Sequence, residues 1–121
     1  MKQSTSIAPP NSLLCVSDPK GGIVPDFIPD KLILSTPSFI TVGCLPFMDG
    51  ETTVIIGSAH DVDPGKQPMF DGFLDTSNRS VVVSTVEQEE ILREHVSTTR
   101  TRVRIWPNDP RWPDEVIIGL E

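Results

Sequence analysis

The stretch TTRTRVRIW, residues 98–106, carries an arginine at every second position, namely Arg100, Arg102 and Arg104. Successive side chains of a β-strand point to opposite faces, so a strand here places all three arginines on one face. Val103 and Ile105 then occupy the opposite face, and Trp106 continues the arginine face. Strict alternation of this kind is typical of a half-buried strand, and it predicts that the valine and isoleucine join a hydrophobic core.

The same strand-like character continues outward from this stretch in both directions. Short runs rich in Val, Ile and Thr, such as TTVIIGS (52–58) and SVVVSTV (80–86), are separated by Pro or Gly. Runs bounded in this way by turn residues are typical of strands. Parallel neighbours would need long, usually helical, crossovers, and the sequence offers none. We therefore expect an all-β fold, a β-sandwich of eight or nine short, mostly antiparallel strands with long Pro-rich loops.

Local turn signals predict two hairpins and leave one segment open. The Asp49-Gly50 dipeptide is a strong hairpin signal and predicts a hairpin over residues 39–58. A four-residue connection around Asn78 predicts a second hairpin between the runs at 69–75 and 80–86. In residues 87–97, Glu and Leu favour a helix, but strong strand patterns lie on both sides. We interpret this segment as a strand preceded by an acidic turn.

Length and composition indicate one β-sandwich domain over residues 1–121, with residues 1–11 as a loose N-terminal segment. No apolar run approaches the ~20 residues of a membrane-spanning helix, and the start of the chain lacks the apolar region of a secretory signal. We therefore expect a cytoplasmic protein without a membrane partner. Cys15 and Cys44 lie in apolar stretches, which predicts two buried, unpaired thiols.

The arginine row has two interpretations. Three guanidinium groups side by side repel one another unless carboxylates or a bound anion neutralise them. Residues 1–92 hold five basic and twelve acidic side chains, whereas residues 93–121 hold five of each. One interpretation is a surface ion-pair ladder, with partners drawn from Glu87, Glu89, Glu90 and Glu94. The other is a binding site for phosphate or carboxylate formed by Arg100, Arg102 and Arg104.

Small-ligand binding or catalysis is an alternative function. Trp106 and Trp112 flank the loop PNDPR and could stack against a sugar or a proline-rich peptide. His60, Asp61 and Asp63 form the one dense cluster of potential ligands or acid–base groups, although a turn closed by Pro64-Gly65 explains them equally well. Because nucleophile, phosphate-loop and metal-ligand motifs are all missing from the sequence, we expect no enzyme activity, metal or cofactor.

The acidic charge favours a protein partner with a basic surface. The net charge is −7 and the sequence pI is about 4.7, which disfavours nucleic acid as the partner. We expect the long loops to form an acidic rim that attracts a cationic protein, while apolar contacts hold the complex once it has formed. An exposed edge strand could also pair two copies of the chain. The residues expected to contact the partner are Asp18, Asp26, Phe27, Ile28, Asp30, Asp61 and Asp63.

Several segments together resemble a known family. FDGFLDTSNRSVVVST (70–85), ILREHVSTTRTRVRIW (91–106) and PDEVIIGLE (113–121) follow the strand order of bacterial β-sandwich proteins related to the competence protein J family of nuclease inhibitors. ILSTPSFITVGC and ETTVIIG are similar to the paired N-terminal strands of those proteins. The resemblance spans about residues 31–121. It implies a small β-sandwich without enzymatic activity that acts as an inhibitor or immunity protein for a nuclease or toxin.

Overall fold

The computed structural model describes residues 2–121, which form ten strands in two sheets. About 48% of the chain is strand and 8% is helical, so the predicted all-β sandwich is confirmed. The helical residues form two short 3₁₀ turns, Pro10–Ser12 and Phe47–Asp49, and one four-residue helix, α1 (Ala59–Val62). The strands are β1 (Lys2–Ile7), β2 (Leu13–Ser17), β3 (Ile33–Thr36), β4 (Phe39–Gly43), β5 (Thr52–Ser58), β6 (Phe70–Asp75), β7 (Ser80–Ser84), β8 (Glu90–His95), β9 (Arg100–Pro107) and β10 (Glu115–Leu120).

Each sheet contains five strands. The first sheet has the order β1-β5-β10-β9-β6, and the second has the order β3-β4-β2-β7-β8. Neighbouring strands pair antiparallel except β5 and β10, which are parallel. The parallel pair needs no crossover helix, because the long chain segment between β5 and β10 builds four other strands before it returns.

The core lies between the sheets and follows the alternation of the sequence. In β9, Val103 and Ile105 are fully buried in the core, as the repeat of Arg100–Pro107 predicts. In β7, Val81 and Val83 join the core, while Val82 lies on the other face and is buried as well. β7 is apolar on both faces because it lies between β2 and β8. The remaining fully buried core side chains come from strands of both sheets: Leu14, Val16, Ile40, Val42, Val54, Ile56, Leu74, Val116 and Ile118.

Three sequence predictions about local structure have clear outcomes. Residues 90–95 form strand β8, so the strand interpretation of segment 87–97 is confirmed. Both predicted hairpins are wrong, because β4 and β5 belong to different sheets, as do β6 and β7. The turns at Asp49-Gly50 and Asn78 therefore carry the chain from one sheet to the other.

The N-terminal segment differs from the expectation. Residues 2–7 of the segment predicted to be loose form β1, which pairs antiparallel along β5. The alternating polar residues of KQSTSI suit an exposed edge strand, since one of its faces remains in water. Gln3 on this strand also donates to the backbone carbonyl of Arg93 in β8 at 2.6 Å and to Glu94 Oε1 at 3.1 Å. These bonds close one side of the sandwich.

Chain connections define two ends of the sandwich. β5 and β10 begin together at one end, where the Leu45 N–H donates to the Pro113 carbonyl at 2.8 Å. They finish together at the other end, where α1 follows Ser58. Both cysteines are buried and unpaired, as predicted, and burial raises the pKa of each thiol. No helix in residues 2–121 is long and apolar enough to cross a membrane.

Candidate functional site

The loop between β2 and β3, residues 18–32, is anchored at its start by Asp18. One carboxylate oxygen of Asp18 accepts the Asn78 N–H at 2.8 Å, and the other accepts the Lys20 N–H at 3.1 Å and the Asn78 side-chain amide. Burial opposes ionisation of Asp18, but these hydrogen bonds outweigh it and lower its pKa. Only 6% of Asp18 is exposed. The prediction that Asp18 contributes to an exposed acidic rim is therefore wrong, because its charge is used inside the fold.

The next part of the loop is fixed to the β3–β4 turn. The Ile23 N–H donates to Ser38 Oγ at 2.9 Å, and the Ile23 carbonyl accepts a hydrogen bond from Thr36 Oγ1 at 2.6 Å. Gly22 lies so close to Ser38 that an added Cβ would come within 2.3 Å of its carbonyl oxygen. This close approach explains why glycine occupies the position.

Beyond this anchor, the loop tip presents apolar side chains to solvent. Phe27 is 82% exposed and Ile28 is 48% exposed. Pro25 and Pro29 flank them and fix two φ angles. Ordering a loop costs conformational entropy when it binds, so a tip that is already restrained loses less on association. Phe27 and Ile28, which were predicted from the sequence as contact residues, thus lie exposed on a tip that two prolines restrain.

The loop tip forms one wall of an open groove of about 870 Å³, here called the aromatic groove. Its floor is the outer face of the second sheet, because Leu13, Leu34, Thr41 and Gly43 alternate along their strands with core residues. The opposite wall is the loop between β9 and β10. Most of the lining is apolar, and the wall residues are Val24, Pro25, Phe27 and Ile28 on one side and Pro110, Arg111 and Trp112 on the other.

The wall that carries Trp112 is as restrained as the loop tip. Asp109 Oδ1 accepts the N–H groups of Arg111 and Trp112, both at 2.8 Å, and these bonds lower the pKa of Asp109. Asn108 Oδ1 accepts the N–H groups of Asp114 and Glu115 at 3.1 Å. Trp112 is 53% exposed on this framework. Two exposed aromatic side chains, Phe27 and Trp112, therefore border one groove.

Charged residues of both signs surround the aromatic groove, and those that line it are Asp30, Lys31 and Arg111. The two loops that form its walls are residues 18–32 and 108–114, and their exposed basic residues are Lys20, Lys31 and Arg111. Their exposed acidic residues are Asp26, Asp30, Asp109 and Asp114. The structure thus places Asp26 and Asp30 on the loop whose apolar tip borders the groove. Asp61 and Asp63 lie elsewhere, at and just after α1, which is at the other end of the first sheet.

Two of the three arginines in the β9 row, Arg102 and Arg104, form ion pairs with carboxylates of the same chain. Arg102 forms a two-pronged pair with Asp71, with N–O distances of 2.8 and 2.7 Å, which lowers the pKa of that aspartate. Arg104 Nη2 lies 2.9 Å from Glu121, and Arg100 stacks over the Phe73 ring at 4.3 Å from its centroid. The ion-pair interpretation is therefore supported, but not with the glutamates named from the sequence.

Those glutamates belong to the other sheet. Glu90 pairs at 2.7 Å with Arg93, three residues along the same strand. Glu87 and Glu89 lie in the turn before β8, and Glu94 accepts a hydrogen bond from the Gln3 side chain. Asp71 and Glu121 take their place beside the arginines because β6 and the residue after β10 flank β9 in the first sheet.

The other predicted ligand residues are not assembled into one site. Trp106 is only 3% exposed, and its Nε1–H donates to the Lys66 carbonyl at 2.7 Å, so it is a structural residue rather than half of a stacking platform. His60, Asp61 and Asp63 are exposed around α1, and Asp63 caps the Gly65 N–H at 2.7 Å. Within residues 2–121, no three His, Cys, Asp or Glu side chains are placed to hold a metal ion.

Comparison with known proteins confirms the predicted resemblance at the level of fold. No protein-family model and no curated protein matches this chain. One solved structure that is similar is the crystal structure of ComJ, an inhibitor of the DNA-degrading activity of NucA, from Bacillus subtilis. The TM-score is 0.58 at 10% sequence identity, and the match covers 98% of this chain and 93% of that chain. The two chains therefore share a fold.

Proposed function

We propose that this chain is a non-enzymatic protein-binding module of the inhibitor type, and that its partner is a protein with a basic surface, such as a nuclease or toxin. The observation that carries this proposal is the aromatic groove. It presents Phe27 and Trp112 on restrained walls over an apolar floor. Exposed apolar patches of this kind on a folded domain mark interaction sites. Aromatic side chains are also the commonest energetic centres of protein interfaces.

Charge and fold give the proposal its direction. The net charge of −7 attracts a cationic surface and repels nucleic acid, and the loops beside the groove contribute four exposed carboxylates, namely Asp26, Asp30, Asp109 and Asp114. The structural neighbour ComJ inhibits a DNA-degrading enzyme, and such enzymes need a basic surface to hold their substrate. A module that covers that basic surface would block access of DNA. A cytoplasmic location suits this role, and a homodimer through an edge strand is the competing arrangement.

The kinetics of association test the charge argument. The chain would be immobilised to capture candidate partners from the native organism, and each purified candidate would then be measured at two ionic strengths. Replacing Asp26 and Asp30 by Asn should lower the association rate and reduce its dependence on salt, because long-range attraction is screened. Replacing Asp61 and Asp63 by Asn removes the same charge from the far end of the sandwich and is the matched control. Equal effects of the two double variants, or none from either, would contradict the proposal.

Inhibition is tested separately with the captured partner. If the partner degrades nucleic acid, the chain should slow that reaction in proportion to the fraction of partner bound. A captured protein whose activity is unchanged when it is saturated with this chain would leave binding intact and refute the inhibitor role.

A further inference from the structure

β6 is an edge strand of the first sheet and pairs with β9 on one side only. The register with β9 fixes which backbone groups are used inside the sheet. Thr76 donates its N–H to the Thr99 carbonyl at 2.8 Å, and Leu74 and Gly72 follow opposite Thr101 and Val103. Hydrogen-bonded pairs alternate along an antiparallel ladder. Gly72 and Leu74 therefore bond β9, whereas the backbone groups of Asp71, Phe73 and Asp75 point away from the sheet.

One hydrogen bond supports this register independently. The Asp75 N–H donates to the Pro37 carbonyl at 2.8 Å, outside the first sheet, as an outward-pointing group would. Within residues 2–121, the backbone N–H and C=O groups of Asp71 and Phe73 form no hydrogen bond to another backbone group outside the first sheet. Both residues are exposed, so another strand can reach them.

Two of the other three edges are less accessible, while β1 is an exposed edge that carries Lys2 and no carboxylate. β1 and β8 are joined by Gln3, which occupies the Arg93 carbonyl. β3 has four residues, and the first of them, Ile33, is 6% exposed. Short or covered edges are the usual protection against unwanted strand pairing. β6 has six residues and keeps two consecutive outward-pointing positions open.

A second groove, here called the edge groove, runs along the start of β6. It encloses about 680 Å³ between Phe70 and Asp71 on one side and β3 with the loop tip on the other. Ile28 and Asp30 line both grooves, so the two surfaces are continuous. The charged residues that line the edge groove are Asp26, Asp30, Asp71 and Lys31. Asp71 is already paired with Arg102, so the charges left for a partner are those of Asp26, Asp30 and Lys31.

We infer that β6 receives an extended basic segment of the partner protein, which adds as a sixth strand to the first sheet. This inference rests on the proposed protein-binding role and names the chemistry of the partner. Backbone bonds to Asp71 and Phe73 give affinity, as in other cases of strand addition. Lys or Arg side chains of the segment meet Asp26 and Asp30. An apolar side chain of the segment enters the edge groove beside Ile28 and Phe70.

A second copy of this chain fits the same edge poorly. β6 reads FDGFLD, with two aspartates and no basic residue. Antiparallel self-pairing centred on Phe73 would place Asp71 opposite Asp75 of the second copy. Like charges directly opposite each other destabilise a strand pair. The charge of the strand therefore selects a basic segment over self-association.

The test uses a blocked hexapeptide of alternating Lys and Val as the probe, with alternating Glu and Val as the control peptide. Binding is followed through the backbone amide signals of the full chain by NMR. We expect the Lys peptide to bind with a Kd near or below about 1 mM, to shift the Asp71 and Phe73 amides and to slow their hydrogen exchange. The Glu peptide should bind at least about fivefold more weakly, because it meets carboxylates.

Two variants separate the backbone from the side chain. Phe73→Pro removes the outward-pointing N–H and leaves the hydrogen bonds between β6 and β9 in place. An edge strand tolerates proline at a position whose N–H points away from the sheet. Phe73→Val loses the same ring but keeps the N–H and is the matched control. Loss of one hydrogen bond should weaken peptide binding about fivefold to tenfold in Phe73→Pro relative to Phe73→Val. If Phe73→Pro does not fold, a peptide N-methylated at every second residue provides the same comparison on the wild-type chain.

Several results would overturn the inference. The first is no peptide binding at 10 mM, roughly ten times the weakest expected Kd of about 1 mM. The second is equal binding of both peptides, and the third is equal binding by the two variants or by the N-methylated peptide. The fourth is the formation of concentration-dependent dimers that protect the Asp71 and Phe73 amides without peptide. None of these results bears on the aromatic groove, which the association rates of the captured partner test separately.

Discussion

Replacing Asp18 by Ala tests whether this carboxylate serves the fold rather than the surface. The change removes the acceptor for three hydrogen bonds, two from Asn78 and one from Lys20. Hydrogen bonds to a charged group contribute about 1.5–3 kcal/mol each, and Asn78 and Lys20 are exposed enough for water to replace part of that. We therefore expect the free energy of unfolding to fall by about 2–3 kcal/mol at pH 7.

Urea unfolding measures this loss directly, and Asp26→Ala is the matched control. Asp26 lies in the same loop but is exposed, so its removal should change the free energy of unfolding by no more than about 0.5 kcal/mol. The difference between wild type and Asp18→Ala should also depend on pH. The pKa of Asp18 is lowered in the folded state, so its contribution is present above the unfolded pKa of about 3.9 and is lost as the pH falls through the folded value.

Two results would refute the reasoning about Asp18. The first is a loss of stability no larger than that of Asp26→Ala at pH 7. The second is a difference between wild type and Asp18→Ala that stays constant from pH 7 down to pH 3, since an uncharged role would not titrate. Either result would show that the charge of Asp18 does not stabilise the fold through these hydrogen bonds.

Three further predictions follow from the packing. Arg102→Ala should leave the urea midpoint nearly unchanged in high salt, because an exposed ion pair is screened there, and a large loss would show that the arginine row does more than balance Asp71. Gly119→Ala should lower the free energy of unfolding by about 1–3 kcal/mol in the same assay, since its Cβ would lie 2.9 Å from the Trp106 ring and 3.0 Å from the Ala59 backbone; a neutral result would contradict this packing. Mass analysis after alkylation without reductant should find both Cys15 and Cys44 unmodified in the folded chain and both modified once it is unfolded, whereas a mass two daltons low would indicate a disulfide.

The alternation of residues 100–106 was sufficient to predict β9 and its core face. A period of two reports which side chains share a face, and Val103 and Ile105 are buried as that period requires. The hairpins failed because a turn signal such as Asp49-Gly50 states only that the chain reverses. Whether the next strand joins the same sheet depends on pairing between distant segments, and β5 pairs with β1 and β10 rather than with β4.

The candidate site was only half visible in the sequence. Phe27 and Ile28 could be named because apolar residues between prolines in a long loop have no strand or helix to join. Trp112 was noted for a different reason, and its place across the groove from Phe27 follows from the β9–β10 loop and the Leu45–Pro113 hydrogen bond. The burial of Asp18 could not be predicted either, since its hydrogen-bond partner Asn78 lies sixty residues away in the chain.

The partner Kd of the Phe27→Ala variant tests the central claim most directly. The partner captured by the immobilised chain would be titrated against wild type, Phe27→Ala and Phe47→Ala, which removes an exposed ring of the same type that lines neither groove. If the aromatic groove is the centre of the interface, Phe27→Ala should raise the Kd at least tenfold, about 1.4 kcal/mol, and Phe47→Ala should raise it less than about threefold. Equal Kd values for wild type and Phe27→Ala would contradict the account.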